Sequence, residues 1–348
     1  MTNSRATETV ITASAGLAAW MIEHRTSFAF TSYQTGQLFL VGTRSDGSIS
    51  VNQQNYVRAM GLAAQGNRIY LASQYQVWTL ENMLAPGQIA NGEFDAAFVP
   101  RIAQTTGDID AHELALTGDG APVFINTRYN CLATLTPGHS FAPLWKPPFI
   151  DTIVGEDRCH LNGLAMADGK PAYVTAVGET NVADGWRQHR RDGGLLIDLA
   201  TSATVARGFS MPHSPRVDGA SIVLLDSGRG QVVRVDPQTG ERSDLAFLPG
   251  FMRGLAIVGN RALITLSKPR DGSFGGLALD AELAERGLDP VCAVVLVDLA
   301  TGDSAEWLRI EGGIDELFDV IALPGVCCPM SLGADSAEIR ATITWPAV

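Results

Sequence analysis

The chain has 348 residues, 46% of them apolar, and a formal net charge of -12 with a pI near 4.9. That apolar share excludes a disordered protein and is enough to bury a large core. The acidic balance argues against nucleic acid or an anionic membrane face as a partner and favours solubility.

The first residues lack a basic start followed by an unbroken apolar core, so no secretory leader is expected. No apolar run approaches the roughly 18 residues a membrane helix needs. Five cysteines form an odd set without a CxxC pair, which predicts buried free thiols and a cytoplasmic location. Residues 1–26 read as an N-terminal arm. Within it ASAGLAAWMIEHR (13–25) places Leu17, Trp20, Met21 and His24 at helical spacing.

Residues 27–326 read as one repeating array. SFAFTSYQTGQLFLVGTRSDGSISV (27–51) holds strands with no inner partner of their own. MGLAAQGNRIYLAS (60–73), HELALTGDGAPVFINT (112–127), NGLAMADGKPAYVTA (162–176) and RGLAIVGNRALITLS (253–267) then share one grammar. Each has a small-apolar strand, a turn on GN or DG, and a second strand ending in small polar residues. Asn-Gly and Asp-Gly supply the positive φ of a tight hairpin. PHSPRVDGASIVLLDS (212–227) fits with an altered first strand. IDLATS (197–202), VDPQTG (235–240) and VDLATG (297–302) read as later turns of the same units.

The units recur about every 40–50 residues, the period of four-stranded propeller blades. Five complete units start near residues 60, 112, 162, 213 and 253, and IDELFDVIALPG (314–325) supplies a sixth start. Pairing that C-terminal strand with the N-terminal strands closes a six-bladed all-β propeller and removes exposed sheet edges. A seven-bladed ring is the alternative, because 268–292 is long and irregular, although LALDAELAERG (277–287) within it has helical character. Residues 327–348 read as a tail packing on the propeller.

Inner strands of a propeller converge on the axis, so the residues before each GLA should meet there. Three consecutive blades deliver His112, His160 and His213. Neutral imidazoles suit copper, iron and zinc and are poor ligands for calcium or magnesium. The expected centre is therefore copper or iron on His112, His160 and His213, with zinc as an option. Asp110, Glu113, Asp157 and Glu316 are candidates for a fourth ligand or for accepting the ring N–H groups. The similar strings IDAHEL and IDEL put Glu113 and Glu316 in comparable settings. Cys159, next to His160, is expected to face the other side of its strand.

Arg58, Arg158, Arg216 and Arg253 gather at the same level. They point either to an anionic ligand or to salt bridges with Asp110, Asp157 and Asp315. Arg128 and Arg229 read as ties between blades, Trp145 as an outer turn, and His24, His139 and His189 as surface or structural residues. No G-x-S-x-G elbow, Walker loop, H-E-x-x-H or dinucleotide fingerprint is present.

The ordered strings HELA, NTRYNCLATL, PLWKPPFI, EDRCHLNGLA, GFSMPHSPR, LDSGRG and LPGFMRGLA resemble a bacterial family of conserved hypothetical proteins, over about residues 17–325. The resemblance implies a β-propeller and carries no activity. A looser similarity to six-bladed lactonases of the gluconolactonase and senescence-marker type implies an axial cation held by Glu, Asn and Asp. Histidines depart from that pattern. Carotenoid-cleaving oxygenases, which hold iron on axial histidines, offer a fold-level analogy.

The leading expectation is a metal-dependent enzyme that oxidatively modifies a small molecule or peptide bearing an anionic group. Glu113 would serve as acid/base or auxiliary ligand, with Arg216 and Arg253 orienting the anion. The alternatives are a zinc-type hydrolase or lyase at the same site, or a propeller that binds ligand or peptide without catalysis.

Overall fold

The GN and DG turns close tight hairpins in the computed structural model, which describes residues 8–345. Asp168 and Gly169 both take positive φ, 49° and 71°, and bring Ala167 opposite Lys170. Gly66 and Gly259 do the same for the pairs Gln65–Arg68 and Val258–Arg261. The later turns close on aspartate side chains: Asp198, Asp236 and Asp298 each accept a backbone N–H two or three residues ahead.

Six antiparallel four-stranded sheets result. Blade 1 combines Val320–Pro324 with Thr26–Ser32, Gln37–Thr43 and Ile49–Asn55. Blade 2 runs Leu62–Gln65, Arg68–Ala72, Gln76–Asn82 and Ala96–Thr105; blade 3 runs Ala111–Leu116, Pro122–Asn126, Cys131–Thr134 and Ala142–Trp145. Blade 4 is Leu161–Ala167, Lys170–Ala176, Gly194–Asp198 and Thr204–Phe209. Blade 5 is Pro212–Asp218, Ser221–Asp226, Gln231–Val235 and Arg242–Phe247. Blade 6 is Phe251–Val258, Arg261–Ser267, Ala293–Asp298 and Glu306–Glu311.

The ring closes where expected: the C-terminal strand is the inner strand of blade 1, with Thr26 opposite Pro324 and Phe30 opposite Val320. The irregular stretch after residue 267 is not a seventh blade. It is a loop and the helix Ala278–Arg286, inserted between the second and third strands of blade 6. Val10–Ala13 adds a fifth strand to blade 6, and Pro329–Ser331 adds a parallel one to blade 2. The helix Ala15–Glu23 buries Leu17, Trp20 and Met21 against blades 6 and 1. Residues 1–7 of the expected arm and 346–348 of the expected tail lie outside the described residues. Among the described residues no helix is long and apolar enough to cross a membrane.

The core lies between facing blades. Phe28, Phe30 and Phe39 are fully buried at the junction of blades 6 and 1, with Phe30 and Phe39 stacked at 4.7 Å. Each such side chain contributes roughly 1.5–3 kcal/mol of transfer free energy. All five cysteines are unpaired, and four of them are buried.

The recurrent glycine of GLA marks where inner strands approach most closely. A Cβ on Gly61 would lie 2.6 Å from the His112 carbonyl oxygen, and one on Gly254 would lie 2.6 Å from the Val320 nitrogen. Backbone cannot yield as a flexible side chain can, so the strands would have to part. Gly254→Ala should therefore destabilise the fold by about 1–3 kcal/mol, measured as a lower urea midpoint at unchanged m-value. An unchanged midpoint would show that the blades can separate freely there.

Candidate functional site

Aligning the blades on that glycine position gives a ring of residues one step before it: Met60, His112, Asn162, His213, Arg253 and Phe318. His112 and His213 occupy equivalent places. His160 does not: it sits two residues ahead of Asn162, before the strand begins at Leu161. His160 stands in blade 4 where Arg58, Asp110 and Met211 stand in blades 2, 3 and 5.

Local geometry shows the same placement. Arg58, Asp110 and Met211 precede the ring residues Met60, His112 and His213 by two positions, and all three have positive φ. In blade 4 the positive φ falls on Asp157 and on His160 itself. A non-glycine residue in this region costs about 1–2 kcal/mol, and such strain gathers at working sites.

The three imidazoles nevertheless share one cavity of about 320 Å³ at the mouth of the channel. Tyr33, Arg58, Asp110, Asp157, Trp186, Phe251, Arg253, Arg270 and Phe318 are among its other walls. His112 and His160 meet edge to face, with ring centres 5.0 Å apart and planes at 86°. His160 also stacks on Trp186 at 4.2 Å, and His213 packs edge-on against Phe251 at 5.5 Å.

Each imidazole is held through Nδ1. His112 Nδ1 lies 3.0 Å from the Asp110 carbonyl and 2.9 Å from Thr127 Oγ1. His213 repeats this with the Met211 carbonyl at 2.9 Å and Ser227 Oγ at 3.1 Å. His160 Nδ1 reaches the Asp157 carboxylate at 2.8 Å. Carbonyl and carboxylate oxygens only accept, so Nδ1 carries the proton in all three rings. Each neutral ring then has its bare lone pair on Nε2. Burial holds His112 below the usual imidazole range despite the neighbouring Asp110 carboxylate. Burial, helped by the Arg253 guanidinium, holds His213 well below it.

Nδ1–H bonded to an oxygen and Nε2 left bare is how proteins orient imidazoles toward a metal. Two imidazoles on one tetrahedral ion, with bonds of about 2.0–2.1 Å, have ring centres about 5 Å apart. The His112–His160 pair matches that spacing. Among the described residues, however, no group of three or more His, Cys, Asp or Glu side chains stands at the spacing that holds an ion. Cys159 is buried beside Asn130, is not among the cavity walls, and has its thiol pushed far up by burial.

The other expected residues separate into layers. Asp157 accepts a hydrogen bond from His160 Nδ1–H, as anticipated. Arg58 and Arg253 line the cavity, but both are paired, Arg58 with Asp110 at 2.7 Å and Arg253 with Glu316 at 3.3 Å. Arg158 instead pairs with Asp151 and Glu156 outside the cavity. Glu113 and Glu316 do not occupy comparable settings. Glu316 is bonded to Tyr33 and paired with Arg253 and Arg270 near the mouth. Glu113 is bonded to Arg216 and Ser214, and with Arg216 it forms part of a second cavity of about 500 Å³ lined by the GLA segments.

A small void lies between the two levels, lined by His112, His213, Asn162, Glu113 and Asp319 among others. Asn162 and Trp186 are the notable residues missed from sequence. Their Nδ2 and Nε1 atoms are buried without a partner. Alignment on the GLA glycine would have found Asn162. Of the remaining candidates, Trp145, on the outer strand of blade 3, bonds Ser202 in a turn of blade 4, His24 stacks on Trp20, and His139 and His189 are exposed.

A six-bladed β-propeller with an imidazole-lined axial mouth is the class that this fold and geometry define. The chain belongs to the family described as Domain of unknown function (DUF4915), whose model matches residues 15–332. No curated protein matches it. Among solved structures, one titled "Crystal structure of Nidogen/Laminin Complex" is similar over 87% of this chain and 100% of that one. Its TM-score is 0.55 at 12% identity, a likeness of fold alone.

Proposed function

We propose that the upper mouth is the site of a metal-dependent enzyme in which His112, His160 and His213 bind copper or iron through Nε2. One observation carries this reading: three tautomers are set by Nδ1 acceptors, and their Nε2 lone pairs belong to rings lining one cavity. His112 and His160 form the close pair, and His213 has to draw in to complete the set. Copper or iron held there would supply one-electron chemistry for oxidising a small molecule or peptide, with dioxygen as the electron acceptor. Arg253 and Arg270 orient an anionic group of that substrate, while Trp186, Phe251 and Phe318 exclude water. Glu113 acts from beneath, through the void it shares with His112 and His213. Zinc on the same donors favours a hydrolase or lyase.

A metal-free ligand-binding site is the second reading, favoured by the absence of a contracted three-donor group among the described residues. Metal analysis of protein purified without a chelating tag separates them. The enzyme reading expects about one copper or iron per chain, lost in His160→Ala with the fold retained. Asp157→Asn should weaken metal affinity about 10–100-fold by releasing the His160 ring. Absence of metal, with no thermal shift on adding copper, iron or zinc, refutes the metal centre and leaves the binding site.

A further inference from the structure

Beside the imidazole cavity lies another of about 280 Å³, and the two share Trp186, Met211, Phe251, Arg253 and Arg270 as walls. It is therefore an annex of the same mouth. Its outer wall is the blade 6 insertion, residues 268–277, which is pinned rather than loose. Asp280 accepts the Phe274 and Gly276 N–H groups at 2.8 and 3.1 Å, Arg190 donates to the Gly275 carbonyl, and Phe274 stacks near Phe251 at 6.2 Å.

The annex runs against the charge of the whole chain. Its lining holds four basic residues, Arg190, Arg253, Lys268 and Arg270, against two acidic ones, Asp271 and Glu316. Glu316 is shared by Arg253 and Arg270. Among the described residues Lys268 has only Asp315 at 4.0 Å, with that carboxylate 43% exposed. Arg190 has no carboxylate within 4.0 Å among the described residues; its partner is a carbonyl. Ser273 accepts from the Gly275 N–H at 3.3 Å, which leaves its own proton to donate. Two under-compensated cations and a free hydroxyl beside an apolar wall of Phe251, Phe274 and Leu277 suit one kind of ligand. It has a dianionic head and a flat or apolar body.

We propose that the annex binds the phosphate group of a phosphorylated small molecule whose remaining part reaches the imidazoles. This deepens the proposed function by naming the substrate class, and rests on that reading only for what happens at the imidazoles. The probes are inorganic phosphate and phenyl phosphate, titrated calorimetrically at low ionic strength, where charge attraction is least screened. Phenyl phosphate should bind more tightly than phosphate if the apolar wall takes part. Lys268→Ala, which leaves the Arg190–Gly275 bond intact, should weaken phenyl phosphate several-fold at unchanged thermal stability in the absence of ligand, and Arg190→Ala added to it should take the loss to about tenfold or more. His160→Ala should lose metal yet keep the phosphate affinity, so failure of the metal reading and failure of this one are told apart. Millimolar phenyl phosphate giving no binding heat, or equal affinity in the double variant, overturns the proposal. Equal affinity for the two probes overturns the ester and leaves a free-phosphate site.

Discussion

Arg216→Ala should lower the unfolding free energy by about 3–5 kcal/mol, as expected when one partner of a buried ion pair is removed. Glu113 is bonded to Arg216 in the narrow neck between the imidazole cavity and the second cavity, and their side chains are 6% and 22% exposed. Arg216 also donates to the carbonyls of Leu164 and Pro215, at 3.2 and 2.9 Å, so it ties three inner strands together. Removing it leaves Glu113 beside a second buried carboxylate, Asp319, with no cation between them. Burial already holds Glu113 above the usual carboxylate range, even opposite Arg216. Urea unfolding measures the loss. The double change Arg216→Met with Glu113→Gln should recover much of it, because no stranded charge remains. A loss under about 1 kcal/mol, the value typical of an exposed pair, would mean that water reaches the neck.

That pair shows where sequence reasoning runs out. The blade count was legible because it rests on local chemistry: the Asn-Gly and Asp-Gly turns, the small polar strand ends, and a glycine forced by close inner strands. Closure by residues 320–324 followed from counting strands that lacked partners. The gathering of His112, His160 and His213 at one mouth was legible by the same logic. Their supposed equivalence was not legible from the clustering of polar groups alone, although alignment on the GLA glycine puts Asn162 in the ring and His160 two residues ahead of it. Arg216 was expected beside the imidazoles, yet it serves the level below, since one step along a strand changes the layer a side chain enters. Glu113 and Arg216 stand 103 residues apart, and only the tertiary fold pairs them. Thr127 and Ser227 looked like ordinary strand ends, but their hydroxyls steady the His112 and His213 rings.

Stability should fall as pH rises between about 6.5 and 7.5, and Asp319→Asn should abolish most of that fall. Burial first, and then the Glu113 carboxylate, push Asp319 up to about 8, against the pull of Arg216. Its two oxygens accept the Leu62 and Val320 N–H groups at 2.7 and 2.8 Å. Ser214 points the same way: its single hydroxyl proton faces both Glu113 Oε2 at 2.9 Å and the Arg253 carbonyl at 2.6 Å. A proton on the Glu113–Asp319 pair relieves that conflict. The folded chain thus holds a proton that the unfolded chain has released above about pH 4, so its stabilising effect disappears as pH climbs through the folded value. His112 and His213 act in the opposite sense and in another window. Their folded values are depressed, so they make stability rise with pH, but only up to the ordinary imidazole range near 6.5. Above that, and below about pH 7.5, the slope belongs to the carboxyl pair. At higher pH the thiols, all pushed up in the fold, add a decline of their own as the unfolded chain's cysteines ionise near 8.5. Asparagine would set its NH₂ against one of the two backbone donors, costing about 1–3 kcal/mol near neutrality, while removing the titration. Urea midpoints at about pH 6.5, 7.0 and 7.5, below the range where the thiols of the unfolded chain ionise, test both effects together. An equally steep decline in the Asp319→Asn variant would move the proton to another group and end this account of the neck.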